Sequence, residues 1–150
     1  MIRTSHRKNN PRHMQITLII LLVLAIFGLL DTSYLIKKRK SAAPPVCPIG
    51  GHCNLVLESK YNTALGVHLD LLGFLYYAGI ITLTLLTISH IWNPELLTLL
   101  LQIGIAAGVL TSIMLVLTQW LIIKAWCFWC TISALLSFTM GLTLMITYYA

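Results

Sequence analysis

Four long apolar stretches divide the chain, with short polar or turn-rich segments between them. The first runs from about 14 to 36, apolar through Leu30 and closing on Asp31-Thr32-Ser33-Tyr34. The second covers about 66 to 89, and the third starts at Glu95 after the turn His90-Ile91-Trp92-Asn93-Pro94. Proline at the first helical position with an acid beside it is a helix-start signal. Between Leu96 and Tyr149 the only charged residue is Lys124. At about 1.5 Å per residue that length crosses a bilayer twice or more. Gln119, Trp120 and Lys124, read as interfacial markers, set the turn at 119–125 and spans of about 95–118 and 126–148. The pattern predicts an all-α integral membrane protein, a four-transmembrane-helix bundle forming a single membrane domain over 1–150.

The segment 37–65 breaks the apolar pattern. A basic run, Lys37-Lys38-Arg39-Lys40, leads into Ala42-Ala43-Pro44-Pro45 and then Cys47-Pro48-Ile49-Gly50-Gly51-His52-Cys53. These prolines and glycines exclude a regular helix up to Cys53 and leave a loop whose cysteines can move. With Asn54 as N-cap, Leu55-Val56-Leu57-Glu58-Ser59 predicts a short amphipathic helix against the bilayer. The first span is too long and too polar at its end for a signal peptide, and no small-residue cleavage site directly follows its apolar core, so it reads as retained. Asp31, near the membrane edge, needs water or a partner.

Composition supports the same class. Hydrophobic residues make up 58% of the chain and charged residues 9%, against about 25% charged in a soluble domain. Spans of about 20 residues each leave no room for a soluble domain. The net charge of +6 comes largely from Arg3, Arg7, Lys8, Arg12 and the run 37–40. These clusters flank the first span, which points to anionic membrane lipid and not to nucleic acid. With the amino terminus cytoplasmic, Lys37, Lys38, Arg39, Lys40, Lys60 and Lys124 would all lie outside, so the positive-inside rule mildly favours the inverse orientation.

The four cysteines fall into two close pairs, 47/53 and 127/130, with none left over. Four spans put the first and third loops on the same side of the membrane, so both pairs share one face. Thiols three residues apart on a helix lie near one another. A mobile loop pair can take electrons from a protein and pass them, through a mixed disulfide, to a fixed pair inside the membrane. Quinone is the apolar two-electron acceptor that the bilayer supplies. Static disulfides and a four-thiolate zinc site are the structural alternatives, although a C-x5-C spacing is unusual for zinc. Disulfide chemistry favours an active site facing the periplasm or extracytoplasmic side of an inner or plasma membrane.

Several motifs occur in a specific order: Gly28-Leu29-Leu30 leading to Tyr34, Cys47-x5-Cys53 followed by Asn54-Leu55-Val56-Leu57-Glu58-Ser59, Gly66-Val67, Leu72-Gly73-x-x-Tyr76, and Trp126-Cys127-x-x-Cys130. Over about 15–148 this order resembles the vitamin K epoxide reductase family. The resemblance implies a helical bundle around a quinone, whether ubiquinone, menaquinone or a relative. It gives Cys47 the contact with a partner protein, has Cys53 exchange with Cys127, and puts Cys130 nearest the quinone. Ser59 matches a serine or threonine near the family's site, and Asn62 matches an asparagine that hydrogen-bonds a quinone carbonyl in animal members. Trp126 and Trp129 read as interfacial anchors, with Trp129 also a candidate quinone contact. Gly104 and Gly108 form a small-x3-small pattern for helix packing, and His52 can favour a thiolate at Cys53.

The chain departs from the family at His68, where proline is frequent in bacterial members, at Asp70, where an apolar residue is usual, and at Ala134, where animal enzymes have a tyrosine that contacts vitamin K. The last departure argues against epoxide reduction, while His68 and Asp70 are candidate proton donors to reduced quinone. Many bacterial members carry a fused thioredoxin-like domain; here the expected partner is a separate thioredoxin-like (DsbA-like) protein. The sequence therefore predicts a protein-dithiol:quinone oxidoreductase driving disulfide formation. The alternatives are a DsbB-like oxidase of another fold, in which the C-x-x-C comes in the first loop, and a non-enzymatic thiolate metal-binding membrane protein.

Overall fold

The computed structural model describes residues 11–149 apart from 44, 49 and 51. Its helices are α1 (Pro11–Lys40), the short α2 (Cys53–Leu57), α3 (Leu69–Ser89), α4 (Pro94–Leu117) and α5 (Phe128–Tyr149). Four of these are long and apolar enough to cross a membrane, α4 being extended to Ile123 by a wider π-helical turn. Between α2 and α3 a 3-10 turn (Lys60–Asn62) and two short antiparallel strands, β1 (Thr63–Ala64) and β2 (Val67–His68), form a small cap.

The long helices pack in a ring, α1 on α3, α3 on α4, α4 on α5, and α5 back on α1. On α1 the buried positions are Thr17, Leu18, Leu21, Ala25, Gly28, Asp31, Thr32 and Leu35, a single stripe at helical spacing. Its outer face carries Ile19, Phe27 and Leu30 exposed, as expected where lipid replaces water around the bundle. The core gathers Leu21, Ala25, Tyr77, Ile80, Leu101, Ile105 and Met140. Two glycines let large rings in: a Cβ at Gly28 would overlap the Tyr77 ring, and one at Gly108 the Tyr76 ring. Small residues at such crossings let helices approach closely.

Helix ends differ from the expectations in four places. The basic run belongs to the last turn of α1, not to the loop; four cations there complement the negative end of the helix dipole. Residue 52, not Asn54, occupies the N-cap of α2, and Asn54 lies inside that helix. The helix of the second span starts at Leu69 and not near 66, because Leu65 and Gly66 (φ 55° and 79°) make the turn of the β1–β2 hairpin. Finally, the chain stays helical through Ile123; the turn is 124–127, opened by Lys124 in the left-handed region at φ 54°. Gln119 is thus buried inside the helical continuation and is no interfacial turn residue. The start of α4 agrees with the proline signal, with Asn93 Oδ1 accepting the Glu95 N–H at 3.3 Å. Arg3, Arg7, Lys8, Pro44, Ile49 and Gly51 lie outside the described residues.

Candidate redox site

Cys127 stands immediately before α5 and acts as its N-cap. Its carbonyl accepts the Thr131 N–H at 3.0 Å, and its Sγ accepts the Cys130 N–H at 3.4 Å. A sulfur thus occupies the place usually held by a serine or aspartate oxygen. From the other side, the Cys127 N–H donates to Gln119 Oε1 at 3.2 Å. The helix N-terminus favours a negative charge at this position. The hydrogen bond from the Cys130 thiol holds the Cys127 thiol below its usual range; burial opposes this, and the Cys130 and Trp129 backbone amides add to the lowering. Cys127 is fully buried, so its stabilisation comes from these donors and not from water.

The loop pair meets it directly. Cys47 and Cys53 form a disulfide, while Cys127 and Cys130 are free thiols. Cys53, Val56, Ala125 and Cys127 make one buried cluster, against which Cys47 and Cys130 also pack. Trp129 Nε1 donates to Val46 O at 2.9 Å, and the Val46 N–H donates to Tyr34 Oη at 3.4 Å. The Trp129 and Tyr34 rings lie 4.6 Å apart, with Lys38 Nζ 5.7 Å above Tyr34. Both backbone groups of the residue preceding Cys47 are therefore held.

Beside Cys130 lies a mostly apolar cavity of about 360 Å³ between the helices. Cys130 lines it and Cys127 does not, so the C-x-x-C has one sulfur toward the loop and one toward the cavity. Ser59 and Asn62 line it as well, from the cap. Ser59 Oγ donates to Val56 O at 2.8 Å and Asn62 Nδ2 to Leu57 O at 2.7 Å, so each also braces the cap. Trp129 is not among the described residues that line the cavity, and its indole N–H is engaged with Val46. Ala134 is buried in the wall.

Asp70 also lines the cavity, but Arg39 Nε pairs with its Oδ2 at 2.7 Å and its Oδ1 accepts the Leu71 N–H at 3.0 Å. His68 Nδ1 and both Asp31 carboxyl oxygens are buried without a partner among the described residues. No group of three or more His, Cys, Asp or Glu among the described residues is arranged to hold a metal ion. Sequence reasoning missed the bond from the Cys127 N–H to Gln119 and the Arg39–Asp70 pair. The first needs the π-helical turn and the second brings together residues 31 apart.

The sequence profile of the vitamin K epoxide reductase family matches residues 19–145. The chain belongs to this family. A relative, the thiol-disulfide oxidoreductase LTO1 of Arabidopsis thaliana, is 42% identical over 55 residues, which are 36% of this chain and 14% of LTO1. The alignment thus spans a small part of that longer protein. In this member of the vitamin K epoxide reductase family, all four cysteines lie at one end of a transmembrane bundle, one pair closed and one open.

Proposed function

We propose that the protein is a quinone-dependent thiol oxidase that reoxidises a thioredoxin-like, DsbA-like partner and so drives disulfide formation. Membership of its family makes it an oxidoreductase acting on thiols. The observation that carries the finer reading is the division of the C-x-x-C: Cys127 packs with Cys53, and Cys130 lines the cavity.

The partner's dithiol reduces Cys47–Cys53 through a mixed disulfide at Cys47, leaving the partner oxidised and both loop cysteines as thiols. The Cys53 thiolate then attacks Cys127 of an oxidised Cys127–Cys130 pair and releases Cys130. Cys47 next attacks Cys53, closing the loop disulfide and expelling Cys127 as a thiolate. A lowered thiol pKa makes Cys127 a good leaving group in this last step. The closed loop pair and free membrane pair correspond to the state after that transfer. Cys127 and Cys130 give up two electrons and two protons as their disulfide forms, and a quinone held in the cavity would supply the acceptor for both.

The apolar cavity beside a thiol fits a quinone by size and character. Ser59 and Asn62 are proposed contacts for it, and Trp129 is proposed to hold the loop. The redox face is proposed to be extracytoplasmic, in an inner or plasma membrane. The decisive test mixes the fully reduced protein with quinone in the absence of oxygen. One quinone reduced per disulfide formed in the chain is the expected result; stoichiometric zinc binding without quinone reduction overturns the proposal. Labelling of Lys37–Lys40 in intact cells by an impermeant amine reagent tests the orientation, and protection there refutes the extracytoplasmic face.

A further inference from the structure

The hydroxyl of Tyr76 is buried in a side chain that lines the cavity and makes no hydrogen bond of good geometry among the described residues, although Ser137 stands close to it. Several of its polar neighbours along the wall already donate elsewhere. The hydroxyls of Thr32, Thr111 and Thr118 donate back to their own helices. Ser59 and Asn62 donate to cap carbonyls, and Asp70 pairs with Arg39. Ser133 and Ser137 meet Tyr77 Oη at 3.0 and 3.3 Å, while that hydroxyl donates to Ser133 O at 2.8 Å.

The Tyr76 ring is held on two sides. It meets Tyr77 edge-on, with centroids 5.0 Å apart, and it rests on Gly108, where any Cβ would overlap it. A phenol fixed in this way is a costly donor to leave unpaired in an apolar wall, since burial strips its water without returning a bond. A ligand with an acceptor oxygen removes that cost. Cys130 lines the same cavity, so one molecule can reach both side chains.

We propose that Tyr76 donates a hydrogen bond to a carbonyl oxygen of the bound quinone and so positions the ring relative to Cys130. This rests on the quinone reading above. Equilibrium binding of a short-chain ubiquinone to the full chain in lipid nanodiscs tests it. Tyr76→Phe keeps the ring and removes the donor, so affinity should fall about tenfold. The rate at which dithiothreitol reduces Cys47–Cys53 should be unchanged, which reports that the redox end is intact. Equal affinity of the variant and the unmodified chain overturns the role of Tyr76 and leaves the quinone reading standing. No binding by the unmodified chain overturns both.

Should Tyr76→Phe also disturb the dithiothreitol reaction, the infrared spectrum of a carbonyl-labelled quinone bound to the unmodified chain decides. A carbonyl stretch lowered relative to the same quinone in lipid supports the bond, and an unshifted one refutes it.

Discussion

The indole of Trp129 donates to the backbone carbonyl of Val46 at 2.9 Å, joining residues 83 apart in sequence. It ties the residue before Cys47 to the residue before Cys130. Trp129→Phe keeps an aromatic ring against Tyr34 but removes the donor. A bond of this kind contributes about 0.5–1.5 kcal/mol, so exchange between Cys53 and Cys127 should slow up to roughly tenfold. The rate of mixed-disulfide formation in a Cys130→Ala background measures it.

The division of the C-x-x-C predicts distinct failures for its neighbours. Cys130→Ala should abolish quinone reduction and accumulate a Cys53–Cys127 mixed disulfide, visible by mass spectrometry of non-reduced peptides. Cys53→Ala should stop electrons from the partner reaching quinone while leaving the prereduced C-x-x-C competent. Partner-to-quinone transfer surviving in Cys53→Ala would refute the relay order.

Reactivity at Cys127 should depend on pH with a definite sign. The thiolate fraction rises with pH through the thiol pKa, about 8.5 for a free cysteine. The Cys130 thiol, by hydrogen-bonding the sulfur, lowers that midpoint against the effect of burial. In a chain lacking Cys47 and Cys53, alkylation of Cys127 should therefore be half-maximal below the ordinary value. Adding Cys130→Ala removes the largest lowering contribution and leaves burial in place, so the midpoint should move up. An unmoved midpoint would show that the thiol hydrogen bond is not the cause.

At Gly28 the Tyr77 ring lies where a Cβ would be. Gly28→Ala overpacks the α1–α3 crossing and should cost about 1–3 kcal/mol, read as a lower midpoint of thermal unfolding in detergent. Adding Tyr77→Leu makes room, so the two changes together should cost less than their sum.

Arg39 partly shields the buried Asp70 carboxylate, whose side chain is only 2% exposed. Arg39→Gln leaves that charge unpaired at the cavity wall and should destabilise the protein by about 3–5 kcal/mol. Combining it with Asp70→Asn removes the charge and should recover most of the loss. Additive effects in the double variant would mean that the ion pair is not what holds α1 to the start of α3.

Much of the architecture is legible without coordinates, because a span is a local property. Hydropathy over about 20 residues reports the transfer of a segment into lipid, whatever its neighbours. Helix ends inside apolar runs are less legible. Lys124 in a left-handed conformation ends one helix, and one pair of short strands delays the start of α3; neither feature has a strong signature in composition. Trp129 carries two possible roles in sequence, interface anchor or ligand contact, and only the position of Val46 shows what its indole N–H bonds. Tyr76 reads as part of a helix motif until its ring is seen to lie in the cavity wall against Gly108.

The sequence by itself determined four apolar spans, two cysteine pairs and, from the parity of the spans, their common face. These follow from transfer energies and counting, which need no contacts. Tertiary structure decided which sulfur faces what: Cys127 meets Cys53 and caps α5, while Cys130 turns to the cavity. The physical reason is that the roles of two thiols in one helical turn depend on what packs against each, and those neighbours come from α2, α3 and the end of α4, far away along the chain.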